Sequence, residues 1–217
     1  MTRPLSPRNL VHWAARDDFE VFLKLGFSHL NGGQTLAPSW YISAMAHQLD
    51  RSYRGECLRL IMTLPPRYLK STIVSVLLPA WAMGRDPGLR IIVASYGQEL
   101  ADALSREFRR VVTSQWYHEV FPDKAARIVR DTNTETTMTG GGYRYAATVG
   151  GTLNAQSRAK VERSNENLGL YRRSVPSFLL GRNSTTVPLL LAYKCFKRSM
   201  SGVKATAIPW TKLVTRT

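Results

Sequence analysis

The first half of the chain places apolar residues at the intervals of an α-helix in several stretches. Apolar residues recur every three or four positions over residues 17–30 and 39–54, and Pro38 stands just ahead of the second stretch. This spacing predicts two amphipathic helices. The same pattern predicts a helix over residues 71–83 and a longer one over residues 98–114.

Shorter apolar runs between these helices predict strands. Residues 58–63, LRLIMT, stand between a glycine and a double proline, and residues 89–96, LRIIVASY, follow a turn signal. Residues 135–139 and 143–148 flank three glycines and predict a hairpin. The order strand, helix, strand, helix is typical of an α/β fold in which helices cover a parallel sheet through right-handed crossovers.

The pattern changes after residue 153. Asp disappears, Ser, Asn, Arg and Thr dominate, and the one long apolar run, VPLLLAY over residues 187–193, has no matching partner pattern. We therefore expect a helical lead-in over residues 1–54, an α/β domain over residues 55–153 and a basic tail over residues 154–217. Its composition predicts that the tail is poorly ordered and packs poorly against the rest.

Charge follows the same division. The net charge of the 217 residues is +15, of which +5 falls in residues 1–153 and +10 in residues 154–217. Such an excess of Lys and Arg indicates a polyanionic partner. No apolar run reaches the roughly 18 residues of a membrane span and no secretory signal is evident, so we expect a cytoplasmic protein without a membrane contact. Cys57 and Cys195 stand alone and predict neither a disulfide nor a metal site.

One segment has the residue types of a phosphate-binding loop. In LRLIMTLPPRYLKST, residues 58–72, Lys70 and Ser71 fall at the junction of a predicted strand and a predicted helix. There, main-chain N–H groups at the helix start bind phosphates, the Lys reaches the outer phosphates and the following hydroxyl binds Mg²⁺. The general pattern has two glycines where this chain has Leu64 and Leu69. Taken alone, the segment is also compatible with an ordinary helix start.

The loop and its flanks together resemble the large terminase subunits of tailed phages and prophages. These proteins often carry Pro-Pro-Arg-x-x-Lys-Ser in place of the glycine-rich loop, and residues 65–71 here read PPRYLKS. The flanking runs LAPSWYISAMAHQLDRSYRGECLRLIMT, SVLLPAWAMGRDPGLRIIVASYGQELADALSREFR, SQWYHEVFP and GGYRYAATVGGTL resemble the family in the same order. The resemblance covers residues 20–153.

The resemblance implies both a fold and a function. The fold is an incomplete P-loop NTPase, a three-layer structure with a mostly parallel sheet. Complete relatives use ATP and Mg²⁺ to package double-stranded viral DNA into a capsid, together with a small terminase subunit and a portal protein, in the cytoplasm of a bacterial host cell. The packaging partner implied for this chain is therefore DNA.

Individual roles carry over onto the matching loop positions. Lys70 becomes the phosphate-binding lysine, Ser71 the Mg²⁺ ligand and Thr72 its neighbour. Arg67 matches the loop arginine that stabilises charge on the transferred phosphoryl group, the role of an arginine finger in cis; the alternative is a surface arginine that caps the loop. The implied nucleotide-binding stretch is Pro66, Arg67, Tyr68, Leu69, Lys70, Ser71 and Thr72. Pro65 and Pro66 stiffen the loop where glycines would let it bend.

A second element of such ATPases is missing from the sequence. An apolar strand that ends in acidic residues should follow the segment VGGTL, but the chain continues NAQSRAKVERSNENLGLYRR, and Glu162 and Glu166 are the only carboxylate side chains beyond residue 153. We interpret this change as a frameshift or decay of the gene near Asn154; a genuine basic C-terminus is the alternative. We therefore expect packaging activity to be lost. A non-catalytic nucleic-acid-binding protein with a remnant loop is the alternative function, and another P-loop motor such as a helicase is a third.

Several other residues suggest functional roles, and for each of them a purely structural role is the alternative. Aromatic residues at five positions could stack on a nucleotide, but their spacing is usual for a core: Trp40, Tyr41, Trp81, Trp116 and Tyr117. His118 has no partner that would indicate a catalytic triad. Arginines at positions 106, 109 and 110 could contact DNA phosphates, although a solvated helix face explains them as well.

Overall fold

The structure, a computed structural model, describes residues 7–57, 59–148 and 191–193. Its helices are α1 (Pro7–Asp17), α2 (Phe19–Leu30), α3 (Trp40–Tyr53), α4 (Lys70–Thr72), α5 (Leu78–Arg85), α6 (Gln98–Val112) and α7 (Gln115–Val120). A π-helical turn, Ile73–Leu77, joins α4 to α5, so the helical path runs unbroken from the first residue of α4 to the last of α5. A short 3-10 turn, Lys124–Ala126, follows α7.

The strands form one mixed sheet. They are β1 (Arg90–Ser95), β2 (Ile128–Asp131), β3 (Glu135–Met138), β4 (Tyr143–Thr148) and the short β5 (Leu191–Tyr193), in the order β2-β3-β4-β1-β5. Among the strands of the described residues, only the β1–β4 pair is parallel. The class is α/β as predicted, but the expectation of a mostly parallel sheet is wrong. Short turns join β2 to β3 and β3 to β4, and such turns can only connect antiparallel strands.

The predicted strand over residues 58–63 is not formed in the described residues. Residues 59–65 have no regular secondary structure, and Leu58 lies outside the described part. Side-chain exposure nevertheless alternates along this segment: Leu60, Met62 and Leu64 pack against the core, while Ile61 is 81 % exposed. The apolar run therefore reflects burial of one side of an extended segment. From the sequence alone, such a segment cannot be distinguished from a strand that pairs in a sheet.

The remaining predicted elements are close to the observed ones. Helix α2 begins two residues later than predicted because the carboxylate of Asp18 caps it, accepting hydrogen bonds from the N–H groups of Glu20 at 2.7 Å and Val21 at 3.3 Å. The predictions of α3, α6, β1 and the β3–β4 hairpin are confirmed. Helices α1 and α7 and strand β2 were not predicted.

The core lies between the helices and one face of the sheet. Trp81 of α5 is fully buried against Phe19 of α2, with ring centroids 5.3 Å apart. Tyr117 of α7 is also fully buried and donates its hydroxyl to the carbonyl of Ala80 at 2.9 Å. Because burial of large aromatic side chains contributes strongly to stability, these contacts hold α2, α5 and α7 together.

Alternation along β1 and β4 gives the sheet a buried and a less buried face. Ile91 and Val93 point into the core and stand beside Arg144 and Ala146 of β4, which are also buried. Helix α6 contacts both strands. Residues between these positions, such as Ile92, keep an intermediate exposure. The buried face thus contains one charged residue, Arg144.

Most of the predicted tail, residues 154–217, lies outside the described residues. Its one described part is β5, which pairs antiparallel with residues 91–93 of β1. The end of the apolar run over residues 187–193 therefore has a partner in the sheet, although the sequence shows no matching pattern for it. Within the described ranges, no helix combines the length and apolarity needed to cross a membrane.

Candidate nucleotide-binding loop

The loop predicted to bind phosphate leads directly into a helical segment. Residues 65–69 form a turn, and α4 begins at Lys70. Two non-glycine residues of this turn have a positive φ: Arg67 at 67° and Leu69 at 56°. Left-handed backbone of this kind costs L-residues energy and is usually supplied by glycine. The loop thus has a conformation favoured by glycine at Leu69, one of the two positions where the general pattern has glycine.

Packing explains how a leucine holds this conformation. The Leu69 side chain is half-buried and packs against the core, whereas Arg67 is exposed. A strained backbone persists where surrounding contacts determine it, and such residues concentrate at functional sites. The loop is therefore held from one side by an apolar contact and leaves its other side to solvent.

Lys70 folds back across the loop. Its ammonium Nζ donates to the carbonyl oxygen of Leu64 at 3.4 Å, and the side chain is half-buried. Ser71 and Thr72 are also half-buried. At 3.4 Å this hydrogen bond is long and weak. The lysine head group therefore lies over the loop and can exchange this contact for a stronger one with an anion.

Several main-chain N–H groups of the loop have no hydrogen-bond acceptor among the described residues. Within the described residues, the N–H groups of residues 69–72 make no hydrogen bond, and the first hydrogen bond of the helix is donated by Ile73 to Leu69 at 2.9 Å. Unpaired N–H groups at the start of a helix favour anions, both by direct hydrogen bonds and through the helix dipole. Combined with the lysine, they make a site whose chemistry suits phosphate.

Arg67 projects from the same turn. It is exposed, and it makes neither a hydrogen bond nor an ion pair with another residue of the described ranges. The capping role that we considered for Arg67 would require contacts to the loop carbonyls, and the structure shows none. As far as the described residues extend, its guanidinium could therefore contact a ligand bound over the loop.

An aromatic cluster lies beside the loop. The ring of Tyr68 meets the ring of Tyr41 edge-on at 5.2 Å, and Tyr41 meets Trp40 edge-on at 6.4 Å. Trp40 is 84 % exposed and Tyr68 is 42 % exposed. The prediction that these aromatics belong to the core is therefore wrong for Trp40, although it is confirmed for Trp81 and Tyr117, which are fully buried. Sequence spacing alone could not separate the two groups.

A buried arginine that the sequence pattern did not single out contacts the π-helical turn that follows the loop. Arg144 of β4 is 1 % exposed and donates to the carbonyl of Ser75 in the π-helical turn at 3.1 Å and to the hydroxyl of Ser105 in α6 at 3.0 Å. It forms no ion pair with a carboxylate of the described residues. Burial, with a smaller contribution from Arg109, lowers the pKa of the Arg144 guanidinium to about 10. The group therefore remains charged at neutral pH.

Other candidates from the sequence do not assemble into a site. Arg109 forms an ion pair with Asp131 at 3.2 Å, which ties α6 to β2. Within the described part of the chain, no three His, Cys, Asp or Glu residues are grouped so that they could hold a metal ion. Cys57 is a free, half-buried thiol. A shallow groove lined by Arg16, Arg85 and Phe121 lies at the far end of α5, away from Lys70.

Comparison with known proteins adds no further constraint. No model of a protein family, no curated protein and no solved structure gives a significant match to this chain.

Proposed function

We propose that this chain is a nucleotide-binding protein that descends from the large terminase subunits and that its loop over residues 66–72 binds the phosphates of ATP. The observation that supports this most directly is the loop itself. A left-handed residue immediately precedes Lys70, the lysine lies over the loop, and the following N–H groups are unpaired among the described residues. This combination is typical of phosphate-binding loops.

The roles of the loop residues follow from this proposal. Lys70 contacts the outer phosphates, Arg67 stabilises charge on the transferred phosphoryl group, and the hydroxyl of Ser71 is a ligand of Mg²⁺. Magnesium in such sites is bound largely by phosphate oxygens and water, with few protein ligands, and the hydroxyl of Ser71 would be one of these ligands. Trp40 and Tyr68 offer exposed ring faces beside the loop on which a base could stack.

Hydrolysis of ATP requires acidic groups that the loop itself does not contain. It requires a carboxylate that fixes the metal and another that activates water. In the sequence, residues 154–217 supply only Glu162 and Glu166. Loss of such preorganised groups costs on the order of a hundredfold to a thousandfold in rate for each group. We therefore propose that nucleotide binding survives in this chain and that packaging of double-stranded DNA does not.

Binding of a fluorescent ATP analogue to the full chain, in the presence of Mg²⁺, tests the proposal. We expect saturable binding that Lys70→Ala weakens by at least about tenfold, because a charge-assisted contact to phosphate is removed. Lys124→Ala, an exposed lysine in the 3-10 turn, is the matched control and should bind as the wild type does. Equal affinity of Lys70→Ala and wild type would refute the role of the loop.

Phosphate release measured with Mg²⁺ and DNA tests the second part. We expect turnover well below about one per second, because each missing acidic group should lower the rate by about a hundredfold to a thousandfold. Turnover near about one per second that disappears in Lys70→Ala would overturn this part and would show that another acid has taken the missing role. In that case Arg67→Ala should reduce turnover without changing nucleotide affinity, and Arg130→Ala, at an exposed position on β2, would serve as its control.

The charge of residues 154–217 supports a second candidate, a non-catalytic nucleic-acid-binding protein. Twelve Lys and Arg side chains stand against two Glu in this part of the sequence. Contacts between such side chains and phosphates weaken steeply with salt because counterions are released. If DNA retention falls steeply over a salt series and is the same in Lys70→Ala, the DNA contact is independent of the loop. Absence of retention at low salt would exclude this candidate.

A further inference from the structure

Arg144 occupies a position that the nucleotide-binding proposal does not explain. It is a fully buried cation without a described carboxylate partner, and its Nε and the hydroxyl of Ser75 beside it have no hydrogen-bond partner in the described structure. Burial of a charge without an ionic partner is costly, and an apolar residue of similar volume often serves as well or better. A purely packing role would not require an arginine here.

The contacts of Arg144 join three elements at one point. From β4 its Nη2 reaches the carbonyl of Ser75 at 3.1 Å, its Nη1 reaches the hydroxyl of Ser105 on α6 at 3.0 Å, and its Cζ lies 4.9 Å from the ring centre of Phe108, also on α6. The Ser105 hydroxyl in turn donates to the carbonyl of Ala101 at 2.8 Å. The guanidinium is therefore fixed by two hydrogen bonds and an aromatic face.

The acceptor in the π-helical turn is the informative contact. Within this turn the N–H of Leu78 bonds to the carbonyl of Ile73, five residues earlier, so the ordinary four-residue ladder is shifted. Such turns are rare, less regular than an α-helix and frequent at functional sites. The turn follows Thr72 directly. Whatever fixes the π-helical turn also fixes the direction in which the preceding turn presents Lys70 and Ser71.

We propose that Arg144 is a positioning residue for the phosphate-binding loop. By holding the carbonyl of Ser75, it fixes the π-helical turn against α6 and the sheet and so sets the direction of Lys70 and Ser71. This inference rests on the proposed function for its effect on ligand binding. The effect on the turn itself does not depend on any ligand.

The test uses the full chain and two readouts. Arg144→Met keeps the volume and removes the charge and the donors, while Arg144→Lys keeps the charge but cannot reach both acceptors in the same way. Arg130→Met, an exposed arginine on β2, is the control. Hydrogen exchange measured by mass spectrometry reports the turn, and binding of the fluorescent ATP analogue with Mg²⁺ reports the loop.

We expect amide exchange within residues 73–79 to rise at least about tenfold in Arg144→Met, because a charge-assisted hydrogen bond to the turn is lost, while exchange in β1 and β3 stays unchanged. Nucleotide affinity should fall by about tenfold with little change in the melting temperature, and Arg144→Lys should restore part of both losses. A change in global stability alone, without these local effects, would identify a merely structural role and overturn the inference.

The two proposals can fail separately. If the wild type binds no nucleotide, the proposed function fails, and the exchange of residues 73–79 alone decides whether Arg144 holds the turn. If the wild type binds and both variants bind equally well with unchanged exchange, the inference about Arg144 is wrong and the proposed function stands. If Arg144→Met does not fold, Arg144→Lys is compared with the wild type instead. Exchange and nucleotide affinity of Arg144→Lys equal to those of the wild type would then refute the inference.

Discussion

The indole Nε1 of Trp81 donates a hydrogen bond to the main-chain oxygen of Ala15 at 3.0 Å, and both residues are fully buried. This bond ties α5, which ends the helical path from the loop, to α1. Trp81→Phe leaves the carbonyl of Ala15 without this donor and opens a cavity. We expect a loss of about 2–4 kcal/mol in the free energy of unfolding.

Urea unfolding followed by circular dichroism measures this loss. Trp40→Phe is the matched control, because Trp40 is 84 % exposed, and it should change stability by less than about 0.5 kcal/mol. Equal midpoints for the two variants would show that the bond between Trp81 and Ala15 contributes little to stability.

Gly142→Ala should disrupt the junction between β1 and the hairpin. A Cβ at position 142 would lie 2.3 Å from the carbonyl oxygen of Leu89 and 2.4 Å from that of Pro87, and main-chain atoms cannot move aside as a side chain can. The N–H of Gly142 also donates to Pro87 at 2.9 Å. We expect destabilisation of about 3 kcal/mol or more, at or above the usual range for overpacking.

Thermal unfolding of Gly142→Ala measures this effect, with Gly97→Ser as the control. Gly97 has open space around its Cβ position and begins α6 as its N-cap, where serine is favoured. A Gly142→Ala protein as stable as this control would contradict the observed approach of the two main chains.

Arg67→Gly should stabilise the protein while it removes a residue proposed for catalysis. Arg67 has a φ of 67° and no described partner, so glycine relieves backbone strain without loss of a contact. Glycine also raises the conformational entropy of the unfolded chain, which lowers the free energy of unfolding by about 0.4–1 kcal/mol. Relief of the left-handed strain raises the free energy of unfolding by about 1–2 kcal/mol. The net gain relative to Arg67→Ala should be about 1 kcal/mol or less.

Denaturant unfolding of Arg67→Gly and Arg67→Ala measures the difference. The control is Arg106→Gly in the middle of α6, which should lose about 1 kcal/mol because that position is helical. If Arg67→Gly is less stable than Arg67→Ala, the loop is not strained at this residue.

His12 should make stability depend on pH near neutrality. Burial lowers its pKa, and Glu119, whose Oε2 lies 3.3 Å from Nδ1, offsets this only in part. The folded state therefore prefers the neutral ring. The stabilisation is present above the ordinary pKa of 6.5 and is lost as the pH falls through the lowered pKa of the folded state.

Unfolding free energies between about pH 5 and pH 8 check this prediction. The wild type should lose more stability on acidification than His12→Gln, whereas His47→Gln, at an exposed position on α3, should follow the wild type. Parallel pH profiles for wild type and His12→Gln would rule out a contribution from His12.

Where apolar periodicity coincides with burial, the fold could be predicted. Helix α6 buries Leu104, Phe108 and Val111 on one stripe and was predicted nearly to the residue. Helix α1 was not predicted because Leu10 and Trp13 are exposed while His12 is buried, which inverts the usual pattern. Strand β2 was not predicted for a similar reason, since Val129 is 67 % exposed at the sheet edge.

The helix start at the proposed loop could be predicted, but the shape of the loop could not. Lys70 and Ser71 were identified at a helix start, which the structure shows. A positive φ at Leu69 could not be predicted because leucine rarely adopts it, and tertiary packing imposes it. The contact of Arg144 with Ser75 joins residues far apart in the chain, and single-sequence patterns carry no signal for such a pair.

The parallel pairing of β1 with β4 has a consequence for the order of folding. Ile92 lies beside Tyr145 only after α6, α7 and two strands have been placed between them, whereas β3 and β4 are joined by a tight turn. Closing a long loop costs more entropy than closing a hairpin, which forms in about 1–10 μs. We therefore expect the hairpin and α6 to form early and β1 to dock onto β4 late, so that substitutions at this parallel seam mainly accelerate unfolding and leave the folding rate nearly unchanged.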